Sequence, residues 1–501
     1  MSGAVISFVW RSVFAGLGAL AFFSVASGTH AQSPKVVAVP GSPVLLLGSF
    51  DLAPLGYTTE EFFVSGTASS YKLSGAPTAD GRWNAVPAET ASYATRIVVV
   101  RPTDPKKFND TVVVEWLNVS GGADGSPDWN AVHREIIRSG YAYVGVSAQK
   151  VGVEGGANVM GMAANPLKKA NPQRYGSLSH PGDAFSYDIF SQAGRILRTA
   201  DGSTVLGGLV PKRVIAMGES QSAVFLTTYV NAVDPLAKVY DGFLIHSRFG
   251  SAPSLEGGSM GASTVPSFVK YRIDLRVPVI TVITETDLLG GRLPGYHGAR
   301  QPDNERLRVW EVPGTSHADN YTFTVGFIDS GSTPLEKLAA GYAPTAKILG
   351  IDLAKSGNNA PQHHYVTEAA LWNLDRWIRI GEAPPKAAPM KLDGGADASA
   401  PPSLVLDANG LAEGGVRTPW VDVPTSRLSG VGNSGGALAS LAGVCEPFDA
   451  ATLDRLYPGG KSAYMRKFED SLASAIKAGF ILPADKQEIL DLAAIAYRGS
   501  H

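Results

Sequence analysis

At 501 residues the chain is long enough for one large domain or two to three ordinary ones. Hydrophobic residues make up 44 %, charged residues 18 %, and the formal net charge is −2, which excludes a nucleic-acid binder and a disordered chain. One cysteine, Cys445, excludes an intramolecular disulfide and reads as a packed small residue.

The first 31 residues read as an export signal. Arg11 is the only charge, residues 12–25 are apolar, and small residues lead to a cleavage site after Ala31. The alternative is a membrane anchor, but the run is shorter than the ~20 residues a spanning helix needs. The expectation is a mature protein that is periplasmic or secreted and free of the membrane. Residues 36–101 read as antiparallel β, with a strand at 97–100 stopped by Pro102. The rhythm then changes. Strands are expected at 111–117, 141–147, 213–217, 242–246, 277–284 and 307–312, and helices at 129–139, 183–199, 221–233 and 366–380. Asp234-Pro235 is expected to close the third helix and Gly381 the fourth.

Strands alternating with helices predict an α/β fold: a doubly wound, mostly parallel sheet with helices on both faces, behind an antiparallel N-terminal β section. The main domain is expected over residues 32–385. Residues 386–402 read as a connection, and 403–501 as a C-terminal extension packed on the same body. Within it, 414–425 reads as a short β piece and 462–478 as a helix. Ligands in such folds bind beyond the C-terminal ends of the strands. The long irregular stretches 148–181, 250–276, 290–304 and 318–364 are placed to shape a pocket there.

The strand 213–217 runs into Gly218-Glu219-Ser220-Gln221-Ser222. Strand, sharp turn and helix lift the Ser220 hydroxyl out of the sheet, above a helix N-terminus. Ser222 stands where glycine is usual. Serine needs a base to take its proton, and the base needs an orienting acid. In hydrolases built on doubly wound sheets the chain order is serine, acid, histidine. Glu285 and Asp287 follow the strand 277–284, and His317 follows the strand 307–312 on a loop of small residues. Asp287 is the preferred acid and Glu285 the alternative, whose bland reading is a turn cap. His246 also ends a strand and reads as a wall residue of the pocket; His363 and His364 read as first-turn helix residues.

Acyl transfer also needs donors for a developing oxyanion. One is the N–H of Gln221. The other comes from the glycine-rich loop Asn118-Val119-Ser120-Gly121-Gly122, with Val119 preferred, Asn118 the rival, and Asn118 a further candidate for the pocket wall. Trp116, Trp129, Phe225, Phe249 and Trp310 divide between core and pocket. No CxxC, HExxH or EF-hand spacing points to a metal, and no G-x-G-x-x-G follows a strand, so no cofactor is expected.

The motifs Glu115-Trp116-Leu117-Asn118-Val119-Ser120-Gly121-Gly122, Gly145-Val146-Ser147-Ala148-Gln149, Gly218-Glu219-Ser220-Gln221-Ser222, Thr284-Glu285-Thr286-Asp287 and Gly314-Thr315-Ser316-His317-Ala318 resemble a bacterial family of exported α/β-hydrolase-domain proteins. The resemblance runs from about Val36 to the C-terminus. It implies Ser220 as nucleophile, His317 as base and Asp287 as acid. The expected activity is hydrolysis of a small-molecule carboxylic ester. Amide, peptide or lactone hydrolysis by the same residues, or a hydrolase fold that only binds, are the alternatives. The oligomeric state stays open.

Overall fold

Successive residues of Val112-Val113-Val114-Glu115-Trp116 point to opposite faces of a strand, and all of them are buried. A strand that is apolar on both faces needs cover on both. The computed structural model, which describes Met1 and residues 33–257, 264–394 and 401–499, supplies that cover. The export-signal expectation rests on residues 2–31, which lie outside the described residues.

From Ser33 onward the described residues form one compact unit around a nine-stranded sheet. Its strands are β1 (Lys35–Val39), β2 (Tyr57–Leu73), β3 (Ala85–Pro102), β4 (Thr111–Trp116), β5 (Ala142–Val146), β6 (Arg213–Glu219), β7 (Gly242–His246), β8 (Val279–Thr284) and β9 (Leu307–Val312). Their order is β1-β2-β3-β5-β4-β6-β7-β8-β9. Strands β1 to β3 are antiparallel, β3 meets β5 antiparallel, and the remaining neighbours are parallel.

Six helices matter here: α1 (Pro127–Arg138), α2 (Ser186–Ile196), α3 (Gln221–Thr228), α4 (Gln362–Ile380), α5 (Gly460–Ala478) and α6 (Lys486–Ala496). Val112, Val114, Trp116, Val214 and Ala216 face one core, shared with α2 and α3. Val113, Ile215, Met217 and Leu244 face a second core, shared with α1 and α4. The sheet is thus covered on both sides, as the alternation requires. Tyr365 of α4 belongs to a third core built with Phe468 and Leu472 of α5 and Ile489 of α6. Among the described residues, no helix is long and apolar enough to cross a membrane.

Two local expectations, the helix at 221–233 and the β piece at 414–425, are corrected, and two others are extended. The strand at 97–100 is the end of an 18-residue strand that pairs with β2 from Tyr57↔Pro102 to Leu73↔Ala85. Its Thr and Ser residues break the apolar alternation but suit an extended chain. The segment 221–233 is not one α-helix: α3 ends at Thr228, and Tyr229–Val233 is a π-turn. Pro235 then lies in the first turn of a short helix, Asp234–Ala237, where its missing N–H costs nothing, so it does not close the segment. The β piece at 414–425 is absent; Pro419 starts a helical turn over Pro419–Asp422, and the strand is the next segment, Ser426–Ser429, paired with Val444–Pro447. The connection 386–402 is partly tied down: Met390 is buried and its N–H donates to Glu311 Oε2 at 2.7 Å.

Candidate active site

Strand β6 delivers Ser220 to a turn that an ordinary residue resists. Ser220 has φ +58° and ψ −117°, outside the regions favoured for a side chain, and such a conformation costs ~1–3 kcal/mol. The crossing of β6 and α3 explains the small residues around it. A Cβ on Gly218 would lie 2.9 Å from Leu226 Cδ1 and 3.1 Å from Ser222 Cβ. Ser222 takes the place of the usual glycine because its short side chain still fits there. The N–H of Ser220 donates to the His246 carbonyl at 3.0 Å, which pins the turn to β7.

Beyond β9, the loop 313–317 brings His317 to this turn. His317 Nε2 is 2.8 Å from Ser220 Oγ, and Nδ1 is 2.5 Å from Asp287 Oδ1. The other carboxylate oxygen, Oδ2, accepts from the Thr284 N–H at 2.8 Å and the Thr284 hydroxyl at 2.7 Å. Burial pushes the Asp287 carboxyl up, but the neighbouring His317 and the Thr284 donors outweigh it and hold the carboxyl below its ordinary range. An ionised Asp287 fixes the proton on Nδ1, so Nε2 is left to accept from the serine hydroxyl. The imidazole also lies against Phe249, with ring centroids 5.2 Å apart.

Glu285, the alternative acid, does not reach His317. Its Oε1 accepts from the Gly314 N–H at 2.6 Å, and its Oε2 accepts from the Gly430 N–H at 2.7 Å. It is a strut between the His317 loop and the C-terminal extension. Its capping role belongs to Thr284, which closes a capping box with Asp287.

The two oxyanion candidates part in the same way. The Asn118 N–H is spent on the Gly125 carbonyl at 2.9 Å, which removes it as a donor. Its side chain instead donates to the Glu219 carbonyl at 3.0 Å and lines the cavity. The Val119 N–H has only a long contact, 3.4 Å, to Gln221 Oε1. Gln221 Nε2 in turn donates to Gln149 Oε1 at 2.6 Å, and Gln149 is held by Trp116 Nε1 at 3.0 Å. Gln221 is the first residue of α3, so its own N–H has no acceptor within the helix. Val119 and Gln221 both line the cavity that holds Ser220.

His246 does not line that cavity; it borders a small neighbouring space with Glu219 and His317. It sits in a buried row that the sequence reading did not foresee. Its Nδ1 is 2.9 Å from Asp128 Oδ1, and its Nε2 is 2.8 Å from His363 Nε2. His363 Nδ1 lies 3.3 Å from Asp319 Oδ2, without hydrogen-bond alignment. Asp128 and His246 lie 118 positions apart, and His246 and His363 lie 117 apart, across α1, β7 and α4, so no local pattern announces them. Burial, then the charge of His363, holds the His246 imidazole well below its ordinary range.

Glu219 was also missed as a participant. Its Oε1 is 3.4 Å from His317 Nε2, and its carboxyl is pushed well up by burial and by Asp128, Asp287 and Glu115. The signal was present, because an acid directly before the nucleophile must end a buried strand. A second missed group supports the Val119 loop: Arg96, fully buried, pairs with Asp124 at 2.9 Å and Glu61 at 3.1 Å. Of the five aromatics, Phe225 and Phe249 line the cavity, while Trp116, Trp129 and Trp310 belong to the core.

A family described as "Alpha/beta hydrolase domain" matches residues 25–491. A search of curated protein sequences finds no match. Among solved structures, the chain is similar to acetyl xylan esterase 1 from Thermoanaerobacterium sp. at 11 % identity and TM-score 0.29, covering 56 % of this chain and 81 % of that one. It is similar to a thermostable esterase from Pseudomonas putida ECU1011 at 12 % identity and TM-score 0.26, covering 48 % and 66 %. It is also similar to esterase Est22 at 14 % identity and TM-score 0.26, covering 46 % and 64 %.

Proposed function

Because the chain belongs to the α/β-hydrolase domain family, we propose that it is a serine hydrolase that cleaves a carboxylic ester. The observation that carries this is the chain of contacts from Ser220 Oγ through His317 to Asp287, at 2.8 and 2.5 Å.

Ser220 Oγ attacks the ester carbonyl as its proton passes to His317 Nε2. The imidazolium that forms is stabilised by the ionised Asp287. Negative charge on the carbonyl oxygen is met by the N–H groups of Gln221 and Val119, the latter freed as the oxyanion displaces Gln221 Oε1. His317 then gives its proton to the leaving alkoxide, and an ester remains on Ser220. Water, deprotonated by His317, attacks that ester. The acid leaves and the proton returns to Ser220.

The test is steady-state hydrolysis of p-nitrophenyl acetate by the wild type and Ser220→Ala. The expected loss in kcat is about 10⁴-fold or more, from the precedent of serine triads. A variant that retains wild-type kcat removes Ser220 from the chemistry. A parallel p-nitroanilide separates amide from ester cleavage.

A further inference from the structure

The cavity over Ser220 is larger than a small ester needs. Its volume is about 1300 Å³, whereas pockets for drug-sized ligands span roughly 300–1,000 Å³. Its walls include Phe225, Phe249, Phe323, Phe327, Leu438 and Leu441. These come from α3, from the segments after β7 and β9, and from the C-terminal extension. A groove assembled from so many segments, with apolar residues from each, is suited to exclude water along an extended apolar ligand.

The mouth carries a second, independent signal. Leu46, Val159, Met162, Leu349 and Ile351 all line this cavity, and their exposures are 61, 38, 51, 63 and 38 %. Single exposed apolar residues are ordinary, but several converging on one opening mark a binding surface. Leu349 is the most exposed of the five and stands at the tip of a hairpin between Lys347–Ile348 and Ile351–Asp352. Its φ is +49°, a position where glycine or asparagine is usual. An apolar side chain is thus held at the opening despite both backbone conformation and solvent.

Charge narrows the ligand further. Among the described lining residues Asp124, Asp183 and Glu219 are acidic, and Arg292, exposed at the rim, is the one lysine or arginine. Asp124 is paired with Arg96 and burial pushes the Glu219 carboxyl well up, so they add little free negative charge, but inside the rim an anionic substrate would find no lysine or arginine among the described lining residues.

We propose that the site takes an uncharged ester with a large apolar acyl or alcohol part, at least the size of an octanoyl chain. This rests on the serine-hydrolase reading above. Each methylene buried in such a cavity favours binding by about fourfold, the equivalent of ~0.8 kcal/mol.

The experiment compares p-nitrophenyl acetate, butyrate and octanoate, all below their solubility limits, with the anionic p-nitrophenyl hemisuccinate. The expected result is a kcat/KM for octanoate at least tenfold above acetate, and for hemisuccinate at least tenfold below butyrate. Met162→Glu and Leu349→Glu, both at exposed positions, are expected to lower the octanoate-to-acetate ratio at least fivefold. A flat or falling chain-length profile overturns the proposal, as does hemisuccinate turnover equal to that of butyrate. Tryptophan-fluorescence titration of Ser220→Ala with the octanoate and acetate esters reads the cavity without turnover. At least tenfold tighter binding of octanoate upholds the assignment, and equal binding overturns it. Absence of turnover with every ester, alongside tight octanoate binding, overturns the hydrolase reading alone.

Discussion

Ser220, Asp287 and His317 each stand just past a strand of the parallel part of the sheet, so three strand ends bring them to one edge. Glu219, the last residue of β6, lies beside them. Its Oε1 shares the Nε2 side of His317 with the Ser220 hydroxyl, at 3.4 Å against 2.8 Å. While protonated, Glu219 leaves Nε2 to the serine. Once ionised, it places a negative charge beside the centre where the oxyanion must develop, which opposes attack by Ser220. Its carboxyl is pushed well up by burial first and by Asp128, Asp287 and Glu115 next, so ionisation comes only on the alkaline side of its ordinary range. The expected outcome is an alkaline decline in wild-type kcat that Glu219→Gln removes. Below the decline, the variant stays within about tenfold of wild type, the scale of a lost hydrogen bond. A pH–rate profile of both proteins checks this. An identical alkaline limb in the two contradicts it.

At the scale of elements, the loop that carries His317 is held from both sides. Thr286 Oγ1 accepts from the His317 N–H at 3.1 Å and donates to the Gly430 carbonyl at 2.5 Å. The Ala318 N–H donates to the Leu441 carbonyl at 3.0 Å. Glu285 joins Gly314 of the loop to Gly430 of the extension, and a Cβ on Gly430 would lie 2.4 Å from the Thr315 carbonyl. Glu285→Ala leaves two buried N–H groups without partners, at about 1–3 kcal/mol each. The expected cost is about 2–6 kcal/mol by urea unfolding, with kcat falling because the His317 loop loosens. An unchanged midpoint contradicts the strut. The sequence showed strands and helices here with small errors in their ends. It could not show the strut, since Glu285 and Gly430 are 145 positions apart. It also misplaced the strand of the extension. Residues 414–425 carry apolar residues at β-like spacing, and only the pairing of Ser426–Ser429 with Val444–Pro447 decides which segment is extended.

At the scale of the whole molecule, a doubly wound sheet was legible from alternation, but how the last hundred residues attach was not. Arg138, at the end of α1, donates to Glu368 of α4 at 3.0 Å, to Glu135 at 2.6 Å and to Asp485 just before α6. The side chains of Glu368 and Asp485 are fully buried. Removing one partner of a buried charged group typically costs about 3–5 kcal/mol. Arg138→Met is therefore expected to be destabilised by that order in urea unfolding at pH 8. Burial, then Asp485, already raises the Glu368 carboxyl well above its ordinary range. A carboxyl raised in the folded state holds its proton after the unfolded chain has released it, so stability is lost as pH rises between the two pKa values. Without Arg138 the rise is larger, and the deficit of the variant shrinks from pH 8 to pH 5. A deficit that grows on acidification contradicts the network.

The central claim is that Ser220 is a nucleophile activated by His317. Intact-protein mass spectrometry after incubation with a fluorophosphonate tests it most directly, with peptide mapping to locate the adduct. The account predicts one adduct, on Ser220, lost in Ser220→Ala and slowed at least a hundredfold in His317→Ala. A well-folded wild type that takes no adduct, or takes it on another residue, contradicts it.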